Sequence, residues 1–150
     1  MRSIPYLWSD AWLLLSVLLA AAPDGASLEG IISVGDGINH AIFSFHEIDG
    51  GLARLVAGGF VRLKRDRVFP TDDAIGLYAR VSGGGGSLLT HLEAIRRKIG
   101  APAWSASHDP TRADPAWSLR TLSQEDLVQA HTTYKRQFAA ALRNLEKQGR

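Results

Sequence analysis

Apolar residues fall along this chain in blocks whose spacing predicts helices, broken once by a short alternating stretch. The first block, Ala11 to Ala22 (AWLLLSVLLAAA), is apolar on nearly every side, the mark of a helix buried all round. Ser9 and Asp10 read as its N-cap and first-turn acid and Pro23-Asp24-Gly25 as the turn that ends it, which predicts a helix over Asp10 to Ala22. Ser27 would cap a second helix with Leu28, Ile31, Ile32 and Val34 turned inward. Gly30, Gly35 and Gly37 count against it, each about 1 kcal/mol worse than Ala in a helix interior. The third helix has the clearest start: Ser44 and Glu47 stand at capping-box spacing, followed by Phe45, Ile48, Leu52, Leu55 and Val56 on one face and by Gly58-Gly59 at the end.

Phe60 to Leu63 and Arg67 to Phe69 flank Lys64-Arg65-Asp66 as the strands of a short hairpin. Thr71, with Asp72 and Asp73, would cap a fourth helix through Ile75, Leu77, Tyr78 and Val81. Ser82 to Ser87, with four consecutive glycines, has linker composition. A fifth helix is predicted over Leu88 to Ile99, closed by Gly100. Residues 101–122, rich in Pro, Ser and Asp, read as irregular chain anchored by Trp104 and Trp117. Ser123 then caps a long helix to about Lys147, on which Leu127, His131, Tyr134, Phe138, Leu142 and Leu145 recur near every 3.5 residues.

Length and composition fit one folded unit with an appendage: 150 residues, 45% of them hydrophobic and 21% charged, can close a core without disulfides or metals. With no cysteine there is no disulfide framework, zinc-thiolate site or cysteine nucleophile. The net charge of +2 is too small to imply nucleic acid by itself, but it is unevenly placed. Residues 1–59 hold Arg2 and Arg54 against six acids, whereas residues 60–70 hold Arg62, Lys64, Arg65 and Arg67 against Asp66. The N-terminal apolar run also has the length of a signal-peptide core, which would make the protein exported. Its single preceding Arg and the adjacent Asp10 favour a core helix and a cytoplasmic protein, and the run is too short to span a bilayer, so no membrane partner is expected.

Three helices, the third with a capping box, followed by a hairpin, is the order of a winged helix-turn-helix. The segment Ile38 to Val61 (INHAIFSFHEIDGGLARLVAGGFV) resembles the turn, recognition helix and first wing strand of that superfamily, and Asp72-Asp73-Ala74 resembles the helix start that follows the wing. The long last helix is similar to the dimerisation helix of PadR-like and MarR-like regulators. The resemblance implies a mainly α fold with a small β-hairpin: a winged helix-turn-helix over residues 8–81, a Gly-rich linker over 82–87 and a helical extension over 88–150. It further implies a DNA-associated protein, in the manner of a transcriptional regulator, forming a homodimer. Arg54 on the third helix and Arg62, Lys64, Arg65 and Arg67 on the wing would contact double-stranded DNA; Leu127, His131, Tyr134, Phe138, Leu142 and Leu145 would form the dimer interface.

The third helix departs from the DNA-reading pattern, since its polar positions are His46, Glu47, Asp49, Gly50, Gly51 and Arg54, mostly acids and glycines where base contacts call for Arg, Lys, Asn or Gln. A protein-protein interaction module on the same scaffold, without DNA binding, is therefore the alternative.

Other candidates have structural explanations beside the chemical ones. Asn39-His40 closes a turn; His46 and Glu47 diverge by about 100° on a helix, as adjacent positions do; His91 and Glu93 also diverge; His108 and Asp109 lack a third metal ligand. The glycines before Ser87 lack the Lys-Ser/Thr pair of a phosphate loop, and Arg96-Arg97-Lys98 complements a helix C-terminus. No enzyme, metal or cofactor is expected.

Overall fold

A computed structural model describes residues 3–148. The fold is mainly α with one two-stranded antiparallel hairpin: α1 (Trp8–Ala20), α2 (Leu28–Asn39), α3 (Phe45–Ala57), β1 (Val61–Lys64), β2 (Arg67–Pro70), α4 (Asp72–Ser82), α5 (Leu88–Ile99) and α6 (Gln124–Gln148).

Helix α1 is the axis of the core. Every residue from Ser9 to Val17 is buried, and α2, α3, α4, α5 and β2 all pack against this helix. It starts two residues before the predicted Asp10. Ser9 lies inside the helix with its hydroxyl buried and unpaired, and the cap comes instead from Asp10, whose carboxylate reaches back to accept the Leu7 N–H at 2.8 Å. Among the described residues no helix is long and apolar enough to cross a membrane.

Helix α2 carries Gly35 for a reason of packing. The Phe43 ring occupies the space where a side chain at Gly35 would lie, stacks on Trp12 with ring centroids 3.7 Å apart, and leaves the Gly35 carbonyl free to accept the Trp12 indole N–H at 3.0 Å. The turn after α2 closes through a left-handed backbone at His40 (φ 54°), not through a side-chain hydrogen bond. Ser27, Ser44, Thr71, Ser87 and Ser123 cap the five later helices as their hydroxyls accept first-turn amides. At Ser44 and Ser123 the box is reciprocated by Glu47 and Asp126.

The hairpin pairs Val61 with Pro70 through Lys64 with Arg67, with Arg65 in the turn at φ 59°. Val61 and Val68 enter the core, and an isolated bridge from Ala26 to Val68 ties the hairpin to the start of α2.

The glycine segment over residues 82–87, read as a linker to the helical extension, leads into a helix that packs on the same core. Leu92 and Ile95 of α5 are buried in the same core as α1, and the His91 imidazole is hydrogen-bonded to the Gly85 carbonyl at 3.0 Å, tying the turn down. Helix α6 lies along α2 with its first turns, where Leu127, Ala130 and Tyr134 pack against the core and the Tyr134 hydroxyl donates to Asp36 at 2.6 Å.

Candidate functional site

The face of α3 expected to be free is covered. Residues 105–119 run across it as an irregular strap held by polar contacts. The Ser44 hydroxyl donates to the Pro110 carbonyl; His108 meets Glu47 at 2.9 Å; Asp49 accepts the Ser118 hydroxyl at 2.6 Å and the Leu119 N–H at 3.1 Å. The Trp117 carbonyl approaches so closely that a Cβ at Gly50 would stand 3.3 Å from it. Trp117 is half-buried, whereas Trp104 is 60% exposed and anchors nothing.

Beneath the strap lies the most buried ion pair in the molecule. Arg54 donates from Nε to one oxygen of Asp10 at 2.6 Å and from an Nη to the other at 3.0 Å, and its second Nη lies 3.6 Å from Asp114 of the strap. Arg54 is 1% exposed and Asp10 fully buried, so Arg54, expected to face DNA, is instead held between Asp10 of α1 and Asp114 of the strap. Burial pushes the Asp10 carboxyl above its ordinary value, opposed by the hydrogen bonds and charge of Arg54 and by the Leu7 amide. Gly51 makes the pair possible, since a Cβ there would fall 2.6 Å from Leu13 and 2.9 Å from an Asp10 oxygen. The helix-weakening Gly50-Gly51 is thus the surface on which α1 and the strap close.

The pairing of Arg54 was hidden in the sequence because its partners lie 44 and 60 residues away. One signal was present: a lone Arg in an acidic, glycine-interrupted helix is a residue in want of a carboxylate. Among the described residues no group of His, Asp and Glu could hold a metal ion. Glu47 both caps α3 and holds His108, so it fastens the strap to the start of the helix.

The wing residues divide. Arg62, Lys64 and Arg65 are exposed, with the Arg62 guanidinium 5.1 Å from the centre of the Phe69 ring. Arg67 is half-buried and, with Arg65, lines a groove of about 500 Å³ between the hairpin, the start of α2 and the start of α6. Glu29, Asp66 and Asp126 line the same groove, so its charge is mixed.

The six residues placed in the dimer interface also divide. Leu127 and Tyr134 pack on the chain's own core and His131 is half-buried, whereas Phe138, Leu142 and Leu145 are 54%, 46% and 63% exposed. Every described residue from Lys135 onward is exposed. No family model matches the chain, and no curated protein or solved structure is similar to it.

Proposed function

We propose that the chain is a protein-protein interaction module on a winged-helix-like scaffold and does not read DNA sequence. The order of α1 to α3 followed by the hairpin is that of a winged helix, and the observation that carries the reading is the strap over α3. The helix that would enter a major groove has Ser44, Glu47, Asp49 and Arg54 engaged by residues 108–119, so entering a groove would require displacing the strap and breaking four hydrogen bonds and the Arg54–Asp114 contact. Meanwhile α6 presents large apolar side chains to solvent, an arrangement that marks contact surfaces in soluble proteins.

A second reading, DNA association through the wing, is favoured by the exposure of Arg62, Lys64 and Arg65 at one end of the molecule. It predicts weak, sequence-indifferent binding in a cytoplasmic regulator. Three phosphate contacts would lose roughly 40-fold in affinity between 50 and 200 mM salt, far less than a groove-reading protein with six to ten contacts.

Fluorescence anisotropy with labelled duplex DNA over a salt series separates the two. The module reading expects no saturable binding at 100 mM salt. Micromolar binding whose salt slope falls by about two in an Arg62→Ala/Arg65→Ala variant would replace it with the wing reading.

A further inference from the structure

The exposed side of α6 keeps four residues of the seam that the sequence spacing suggests and has Val128 and Lys135 in place of the inward-packed Leu127 and Tyr134. The stripe facing solvent runs through Val128, His131, Lys135, Phe138, Leu142 and Leu145, separated by three, four, three, four and three residues, the alternation of a helix-pairing seam. Val128 is 61% exposed, and the stripe continues past the half-buried His131 to the fully exposed second half of the helix. The residues that pack inward, Leu127, Ala130 and Tyr134, occupy the neighbouring face, so α6 can lie on α2 and still offer this stripe to another helix.

The stripe has two properties that identify its partner. Its spacing reads the same in both directions, so a second α6 running antiparallel would set Val128 opposite Leu145, His131 opposite Leu142 and Lys135 opposite Phe138. Each polar residue then meets an apolar one, and the Lys135 ammonium can lie against the Phe138 ring. A parallel pair would instead set Lys135 against Lys135 and His131 against His131.

The second property is the charge gradient along the helix. Glu125 and Asp126 make its start acidic, while Lys135, Arg136, Arg143 and Lys147 against Glu146 make the rest basic. Antiparallel copies bring the acidic start of each beside the basic end of the other; parallel copies bring like charges together.

Building on the interaction-module reading, we infer that the chain self-associates by antiparallel pairing of α6 through this stripe with a second copy of itself. Two polar seam positions in six make the association weak and salt-sensitive.

The chain contains no cysteine, so single-cysteine variants report the geometry cleanly. Val128→Cys and Leu145→Cys proteins, distinguishable by mass, are mixed and oxidised, while sedimentation equilibrium of the unmodified chain gives its dissociation constant. The inference expects a dimer, a Val128Cys–Leu145Cys cross-link formed in preference to either self-cross-link, and a dissociation constant raised at least about thirtyfold by Phe138→Asp. Because Phe138 is exposed, circular dichroism of that variant should match the parent.

A chain monomeric at 200 µM overturns the inference, as does a dimer that Phe138→Asp leaves intact or one that forms mainly self-cross-links. None of these results touches the module reading, which stands or falls on the DNA titration.

Discussion

Replacing Arg54 with Met removes the guanidinium and keeps much of the side-chain volume, leaving a fully buried Asp10 carboxylate with one remaining hydrogen bond, from the Leu7 amide. Breaking a buried pair from one side costs about 3–5 kcal/mol, because the remaining charge stays desolvated. Against a typical domain stability of about 5–15 kcal/mol that is a large share, equivalent to a fall in Tm of about 6–20 °C for a chain of this size. The loss should also depend on pH in a definite direction. Burial already holds the folded-state Asp10 value above its unfolded one, so the stability this carboxyl contributes is complete below the unfolded value and declines as pH rises through the folded value. Without Arg54 the folded value rises further, so the variant's deficit should be smallest near pH 4 and grow toward neutrality, by no more than about 1.4 kcal/mol per pH unit. Urea unfolding at pH 4, 5.5 and 7 reads this directly, because Trp12 is buried in the core two residues from Asp10. Adding Asp10→Asn to the variant should recover part of the loss at pH 7, the coupling expected of groups in contact. A deficit below about 1 kcal/mol at pH 7, unchanged with pH, is the behaviour of an exposed pair and would refute the burial argument.

Gly51→Ala should destabilise by about 1–3 kcal/mol in urea, because its methyl meets Leu13 and Asp10 within the core. Gly37→Ala and Gly76→Ala, where a Cβ meets nothing within 4 Å, should each stabilise by about 0.5–1 kcal/mol; a loss at either would place hidden contacts there. His108→Ala should loosen the strap without unfolding the core, so tryptic cleavage after Arg112 should accelerate about fivefold for each kcal/mol of lost attachment while the urea midpoint barely moves. Tyr134→Phe removes the hydrogen bond to Asp36 and should cost about 0.5–1.5 kcal/mol, with faster amide exchange in the first turns of α6.

Features governed by neighbours in sequence are legible in the sequence itself. The reciprocal box of Ser44 and Glu47, the hairpin over residues 61–70, the left-handed Gly100 and the buried character of α1 all depend on residues within one or two turns of each other. Local pattern misleads where tertiary partners decide. Ser9 and Asp10 both look like capping residues, and the first helix begins at Trp8 because Asp10, at its third position, can hold the Leu7 amide and Arg54 at once. Ser82 to Ser87 has the composition of a flexible linker, yet Leu92 and Ile95 draw α5 back onto α1 and reduce the glycines to a turn. On α6 the inward and outward faces adjoin, and spacing alone merges Leu127 and Tyr134, which serve the chain's own core, with Phe138, Leu142 and Leu145, which do not.

The strap shows why residue type on α3 could not settle the function. Histidine, acids, glycines and one arginine form a poor face for DNA if that face is open, but they form a good one for a second layer of chain. Glu47 and Asp49 accept the strap's imidazole, hydroxyl and amide donors, Gly50 lets a carbonyl approach, and Arg54 balances the acid that α1 brings in from below. The composition that weakens groove reading is the one that the strap requires, so a single cause accounts for both the departure from the DNA-reading pattern and the burial of the helix. For α3 to present an open face, residues 105–119 would have to leave it. The outer stripe of α6 instead combines large exposed apolar side chains with a charge pattern that can complement itself.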